Sequence, residues 1–178
     1  MLNNKITILS LIVSILLMGC SSTHINTNID TQSLVKNGKG KSIAIQGFHL
    51  LQKKDFKHAK EKLEVADKLG HVDAPRALGL MYINGDGVKQ DYSMALYYFK
   101  KAYKRGNYVA AYDIGAMYKN GEHFNKNIKI AKKYYLIAAK KDYGLAQFEL
   151  AKIYAYQRNK SEFIYWAKKA EKHAYHFR

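Results

Sequence analysis

Apolar residues recur at helical spacing from about Ser42 onward, in short runs separated by glycine or polar turns. The pattern is sharpest between Ala74 and Asn107. Leu78, Met81 and Tyr82 fall on one face of a first helix. Asp73 is suited to cap it, and Pro75, the only proline, sits in the first turn, where its missing N–H costs nothing. Asn84-Gly85-Asp86-Gly87 ends that helix, because glycine readily takes the backbone angles of a turn. A second helix from about Asp91 places Ala95, Tyr98, Phe99 and Ala102 on one face. Gly79 and Ala95 are small enough for the two helices to approach closely. A lone helix pair cannot bury such faces, but a stack of pairs can.

The same skeleton recurs along the chain. The small residue of the first helix falls at Gly47, Gly79, Gly115 and Ala151, and a large apolar or aromatic residue follows three positions later at Leu50, Tyr82, Tyr118 and Tyr154. On the second helix the packing positions are Ala59, Ala95, Ala131 and Phe163, then Ala66, Ala102, Ala138 and Ala170. The outer units lack four loop residues. Eight helices are predicted, over 42–53, 55–69, 74–84, 91–105, 109–119, 127–141, 145–156 and 160–174. They group into units 42–72, 73–108, 109–144 and 145–176. The fold class is all-α: a solenoid of about four antiparallel helix pairs across residues 42–176. Fifteen tyrosines suit aromatic packing in such a stack.

The middle units resemble Sel-one-like repeats, relatives of the tetratricopeptide repeat. Leu78-Gly79, Tyr82, Gly85, Gly87-Val88 and Asp91, followed by Ala95, Tyr98-Phe99 and Lys101-Ala102, carry the likeness. The third unit keeps Ile114-Gly115, Tyr118, Gly121, Ala131, Tyr134-Tyr135 and Ala138-Ala139, and departs at His123, Phe124 and Asn127, which suggests a longer or looser loop. The first and fourth units match only at helix-packing positions. The resemblance implies a right-handed superhelix whose first helices line the concave face, and terminal units that cap the stack.

Upstream of the periodic region lies a targeting pattern. Lys5 and an apolar run from Ile6 to Met18 end in Leu17-Met18-Gly19-Cys20-Ser21-Ser22. The run is shorter than the ~20 residues a membrane span needs. It resembles a bacterial lipobox, which implies a signal peptide over 1–19, cleavage before Cys20, and acylation of Cys20 as the membrane anchor. Residues 20–41, rich in Ser, Thr, Asn and Gly, read as a flexible tether reaching roughly 25 Å. Ser21 and Ser22 lack the aspartate that retains some lipoproteins in the inner membrane, so the resemblance favours the outer membrane, facing the periplasm. Cys20 is the only cysteine, so no disulfide is available.

Thirty Lys and Arg against fourteen acids give a net charge of +16, and removal of Lys5 with residues 1–19 lowers it to +15. In an exported protein this points to anionic lipid, an envelope polymer or an acidic protein, or equally to a solvated basic surface with no partner, and not to nucleic acid. Lys68, Lys104, Lys140 and Lys172 share one repeat position near the end of each second helix, where a cation complements the helix dipole and also builds a basic ridge.

Chemistry-bearing patterns are sparse. Gly85-Asp86-Gly87 has no preceding strand and no following Gly-Lys-Ser/Thr, so it reads as a turn and not a phosphate loop. His173 and His176 are too few for a metal site. No nucleophile–base pattern stands out, and no cofactor, metal or catalytic residue is expected. The variable positions on the first helices are more informative. Arg76, Ile83, Tyr112, Lys119, Phe148, Lys152 and Tyr156 are the candidate partner-binding residues, with Ala44, Leu51 and Ala155 at equivalent positions and Phe48, Leu80, Asn84 and Asn120 beside them; Tyr112 and Phe148 suit packing between adjacent repeats equally well. Aromatic and Arg anchors suit a protein or peptide ligand, and a basic groove suits an acidic one. The expected function is a non-catalytic, membrane-anchored protein-binding scaffold or adaptor of the cell envelope. The alternatives are an immunity protein that neutralises a periplasm-acting toxin and, behind it, a cell-wall-directed enzyme or glycan binder.

Overall fold

The computed structural model describes residues 31–121 and 125–174. Eight helices follow in order: α1 Thr31–Gln52, α2 Phe56–Lys68, α3 Ala74–Asn84, α4 Tyr92–Lys104, α5 Tyr108–Asn120, α6 Ile128–Lys140, α7 Gly144–Tyr156 and α8 Lys160–Ala174. They pair as α1/α2, α3/α4, α5/α6 and α7/α8, and the second helix of each pair packs on the first helix of the next. This is an all-α solenoid of helix pairs. No helix among the described residues is long and apolar enough to cross a membrane.

The predicted boundaries hold except at α1, which starts at Thr31 and takes in residues 31–41, assigned above to the tether. Gly40 explains part of the difference. It is buried, and a Cβ there would stand 3.1 Å from the Leu69 Cβ, so the glycine admits a close approach to the end of α2 instead of marking a loop. The signal peptide, Cys20 and residues 20–30 of the tether lie outside the described residues, as do His123, Phe124 and His176.

Caps fix where the helices start. Asp55, Asp91, Asn127 and Asn159 occupy one repeat position, and each side chain accepts from the backbone N–H three residues on. Asn127 therefore does the work of Asp91, although the third loop otherwise departs from the second. Gly85 closes α3 in the left-handed region (φ 78°), as glycine allows, and its N–H bonds to the Met81 carbonyl. The short turns of the outer units have no glycine and close with Lys54 (φ 60°) and Arg158 (φ 55°).

Close packing inside each of the first three pairs rests on glycine facing a large side chain. A Cβ on Gly47 would meet Leu63 at 2.9 Å, one on Gly79 would meet the Phe99 ring at 2.6 Å, and one on Gly115 would meet the Tyr135 ring at 2.7 Å. The next first helix then covers each of these residues. Its buried line is Ala74, Leu78 and Met81 on α3, and Ala146, Leu150 and Ile153 on α7. On α5, Ala110 and Ile114 are buried with Met117 packed partly buried beside them. These i, i+4, i+7 positions form one stripe of a helix. The result is a core that runs from pair to pair.

Polar ties add to the apolar core at each junction. Asp67 on α2 is only 5% exposed and accepts from Lys101 and Arg105, each at 2.6 Å. Arg76 on α3 pairs with Asp113 on α5 (2.6 Å), and Lys119 on α5 with Glu149 on α7 (3.0 Å).

Candidate functional site

A cavity of about 470 Å³ opens across the first helices of the first three pairs. Phe48 and Leu51 of α1, Arg76, Leu80 and Asn84 of α3, and Asn107 and Val109 at the start of α5 contribute to its wall. Phe56 from α2 and Asp73 and Asp86 from the connections complete much of the rest. The lining mixes apolar side chains with a few amide and charged ones, a common composition for a site that orients a ligand through a few polar groups.

Those polar groups are held in place. Arg76 donates from Nε to Asp113 Oδ2 at 2.6 Å and from a terminal nitrogen to Oδ1 at 3.3 Å, a two-point grip that fixes the guanidinium plane. Burial raises the Asp113 carboxyl above its ordinary pKa, and the Arg76 hydrogen bond opposes that rise. Asn107 donates to Asp73 at 2.7 Å while its own Oδ1 caps α5. Asn84 donates to Asp86 at 3.0 Å.

The seven candidate residues from the sequence do not form one surface. Arg76 alone among them lines this cavity. Ile83 packs half-buried at the edge of the core, and its carbonyl accepts from Gln90. Tyr112 packs between Tyr135 and Tyr143, with ring centroids 5.6 and 5.3 Å away, and burial raises its hydroxyl pKa. Lys119 is tied to Glu149. Phe148 and Lys152 are exposed, with the ammonium 5.4 Å from the ring, and both line a separate groove at the last pair. Tyr156, at the end of α7, is 91% exposed. Ala44, placed above on the open face, is fully buried in the core.

The basic groove expected on this face is therefore largely compensated. Arg76 and Lys119 each have an acid one repeat further on, Asp113 and Glu149. Lys68, Lys104, Lys140 and Lys172 stay exposed in the last turns of the second helices, where both the dipole and the ridge readings had put them.

Two features escaped the sequence reading. Asp113 and Glu149 carry no catalytic pattern; their signal is the spacing of a counter-ion near the 36 residues between Gly79 and Gly115. The second is the cap of α3. Asp73 stands at the N-cap position but makes no side-chain cap bond; its carboxylate accepts from Asn107 instead. His71 Nδ1 takes over, accepting from the N–H groups of Asp73 and Ala74 at 3.2 Å each. Among the described residues no three His, Cys, Asp or Glu gather as a metal site would require, and His173 lies 3.4 Å from Asp142.

Comparison with known proteins agrees with this geometry. The Sel1 repeat family matches residues 73–107 and 109–143, the second and third pairs. A Sel1 repeat protein from Oxalobacter formigenes superposes with a TM-score of 0.69 at 25% identity, over 73% of this chain and 55% of its own. A protective antigen present in uropathogenic Escherichia coli strains, displaying an SLR fold, superposes with a TM-score of 0.72 at 26% identity, over 82% of this chain and 34% of its own. The chain thus spans 55% and 34% of the lengths of these two proteins. No curated protein matches it.

Proposed function

We propose, for a chain that carries two Sel1 repeats and shares the fold of Sel1 repeat proteins, a membrane-anchored scaffold that binds a protein or peptide on the face lined by its first helices. The observation that carries the reading is the cavity bounded by Phe48, Leu80, Arg76 and Asn84. Its apolar lining offers area to desolvate, and its polar side chains are already held in place by the fold. Preorganised groups lose less entropy when a ligand arrives, so they favour binding. Acylation of Cys20 would hold the domain at the cell envelope and raise its local concentration near partners there.

A photocrosslinking side chain at Leu80, compared with one at the exposed Lys100 of α4, tests the face. A defined adduct is expected from Leu80 and none from Lys100. Adducts from Lys100 alone would move the binding surface to the second helices. For the anchor, Cys20→Ala should shift the protein from the membrane fraction to the soluble fraction, and full membrane retention would remove the lipobox from the account. The inhibitor reading draws less support, because Arg76 and Lys119 already have carboxylate partners on the face that an acidic toxin would have to meet.

A further inference from the structure

The last helix pair carries a second opening, a groove of about 730 Å³ between α7 and α8. Small side chains, Ala151, Ala155, Ala167 and Ala170, make up much of its wall, together with Phe148 and Phe163. Six of the eleven exposed large apolar side chains among the described residues belong to α7 and α8. Such a concentration on one end marks an interaction surface more often than a solvated one.

The rest of the chain shows what such a groove accepts. In the first three pairs the corresponding groove is closed by the next first helix, which buries Ala, then Leu or Ile, then Met or Ile at i, i+4 and i+7. The last groove continues this interface with other side-chain sizes. Ala151 and Phe163 stand where the inner units carry glycine and alanine, and α8 carries Ala167 where the inner second helices carry Leu63, Phe99 and Tyr135, which leaves room at that position. A second copy stacked head to tail does not fit it. On α1 the positions equivalent to Ala74, Leu78 and Met81 are Ser42, Gln46 and His49, all exposed and polar, and Ile45 is the one exposed large apolar side chain on α1 among the described residues.

We propose that the groove between α7 and α8 receives an amphipathic helix of another protein, with apolar residues at i, i+4 and i+7 and a bulky one at i+4. The mode is helix-in-groove recognition, with the partner continuing the solenoid's own packing. This site is separate from the first-helix cavity and does not depend on the role given to that cavity.

The test uses the purified full chain and a labelled synthetic helix with Ala, Phe and Met at i, i+4 and i+7 and Glu and Lys elsewhere. Fluorescence anisotropy should show saturable binding that a peptide with Gln at those three positions lacks. Ala167→Trp, which fills the room at that position, should weaken binding about tenfold or more. Phe148→Glu at the half-exposed rim carries little risk to folding and should do the same. Asn84→Arg, in the first-helix cavity, should leave the affinity unchanged. Equal binding of the Gln peptide would overturn the proposal. So would affinity that survives both groove variants, or that is lost only with Asn84→Arg. A peptide-free dimer seen by sedimentation and dissolved by Phe148→Glu would make a second copy the occupant, and would overturn it as well.

Discussion

Gly79 faces Phe99 and Gly115 faces Tyr135, whereas the equivalent positions of the last pair are Ala151 and Ala167, both in the wall of an open groove. The inner pairs combine no side chain on one helix with a ring on the other, and the next helix covers the ring. The last pair averages the two sizes and leaves its face uncovered by any described helix. An aromatic residue at position 167 would meet solvent; alanine limits that exposure, but Phe148 and Phe163 remain in view. One repeat skeleton thus serves as sealed core inside the stack and as open surface at its end.

The largest test of that contrast is Phe99→Ala, which gives the second pair the residue that the fourth has. Phe99 is fully buried, so the change should cost about 3–5 kcal/mol of stability, read by chemical denaturation. A loss below about 1 kcal/mol would mean that the ring is not what fills the inner pair. Next comes a matched pair of enlargements. Gly115→Leu drives carbon into the Tyr135 ring and should cost roughly 1–3 kcal/mol, while Ala167→Leu, at a partly exposed position lining the open groove, should cost well under that. Equal losses would erase the distinction between sealed and open pairs.

The smallest test concerns the residue that starts each first helix. His71, Asn107 and Tyr143 share one repeat position. His71 and Asn107 cap α3 and α5, and Tyr143 makes no side-chain cap. His71 caps through a neutral ring nitrogen. Burial lowers its pKa below the usual 6.5, Lys41 and Arg105 push it the same way, and Asp73 opposes them. A depressed pKa means that the folded state favours the neutral ring. The contribution is therefore fully present above pH 6.5 and is lost as pH falls through the lower folded value. Stability read by chemical denaturation should be higher at pH 7 than at pH 5 through this residue. His71→Asn should keep the cap and remove that part of the dependence, as at Asn107. An unchanged pH dependence in His71→Asn would take the cap away from the imidazole.

Much of the architecture was legible in the chain itself. Helix number, pairing and most boundaries follow from apolar spacing, turn residues and Asp or Asn caps, all set by neighbours within a few positions. The recurrence of Gly47, Gly79 and Gly115 marked where helices meet, because a missing side chain is visible in any listing of residues. The face proposed for binding was legible only in part. Phe48, Leu80, Asn84 and Arg76 do line the open cavity, but Tyr112 became packing and Phe148 turned to a different groove.

What only the tertiary structure decided has one physical origin. Whether Arg76 and Lys119 are available depends on Asp113 and Glu149, thirty to thirty-seven residues away. Whether Asp73 caps its own helix depends on Asn107, which claims its carboxylate. Whether residues 31–41 form a tether or a helix turns in part on Gly40 meeting Leu69. Local periodicity selects helices because their hydrogen bonds close within four residues. Which polar group is left over, and which apolar face stays uncovered, is settled by contacts between pairs, and those exist only once the stack has formed.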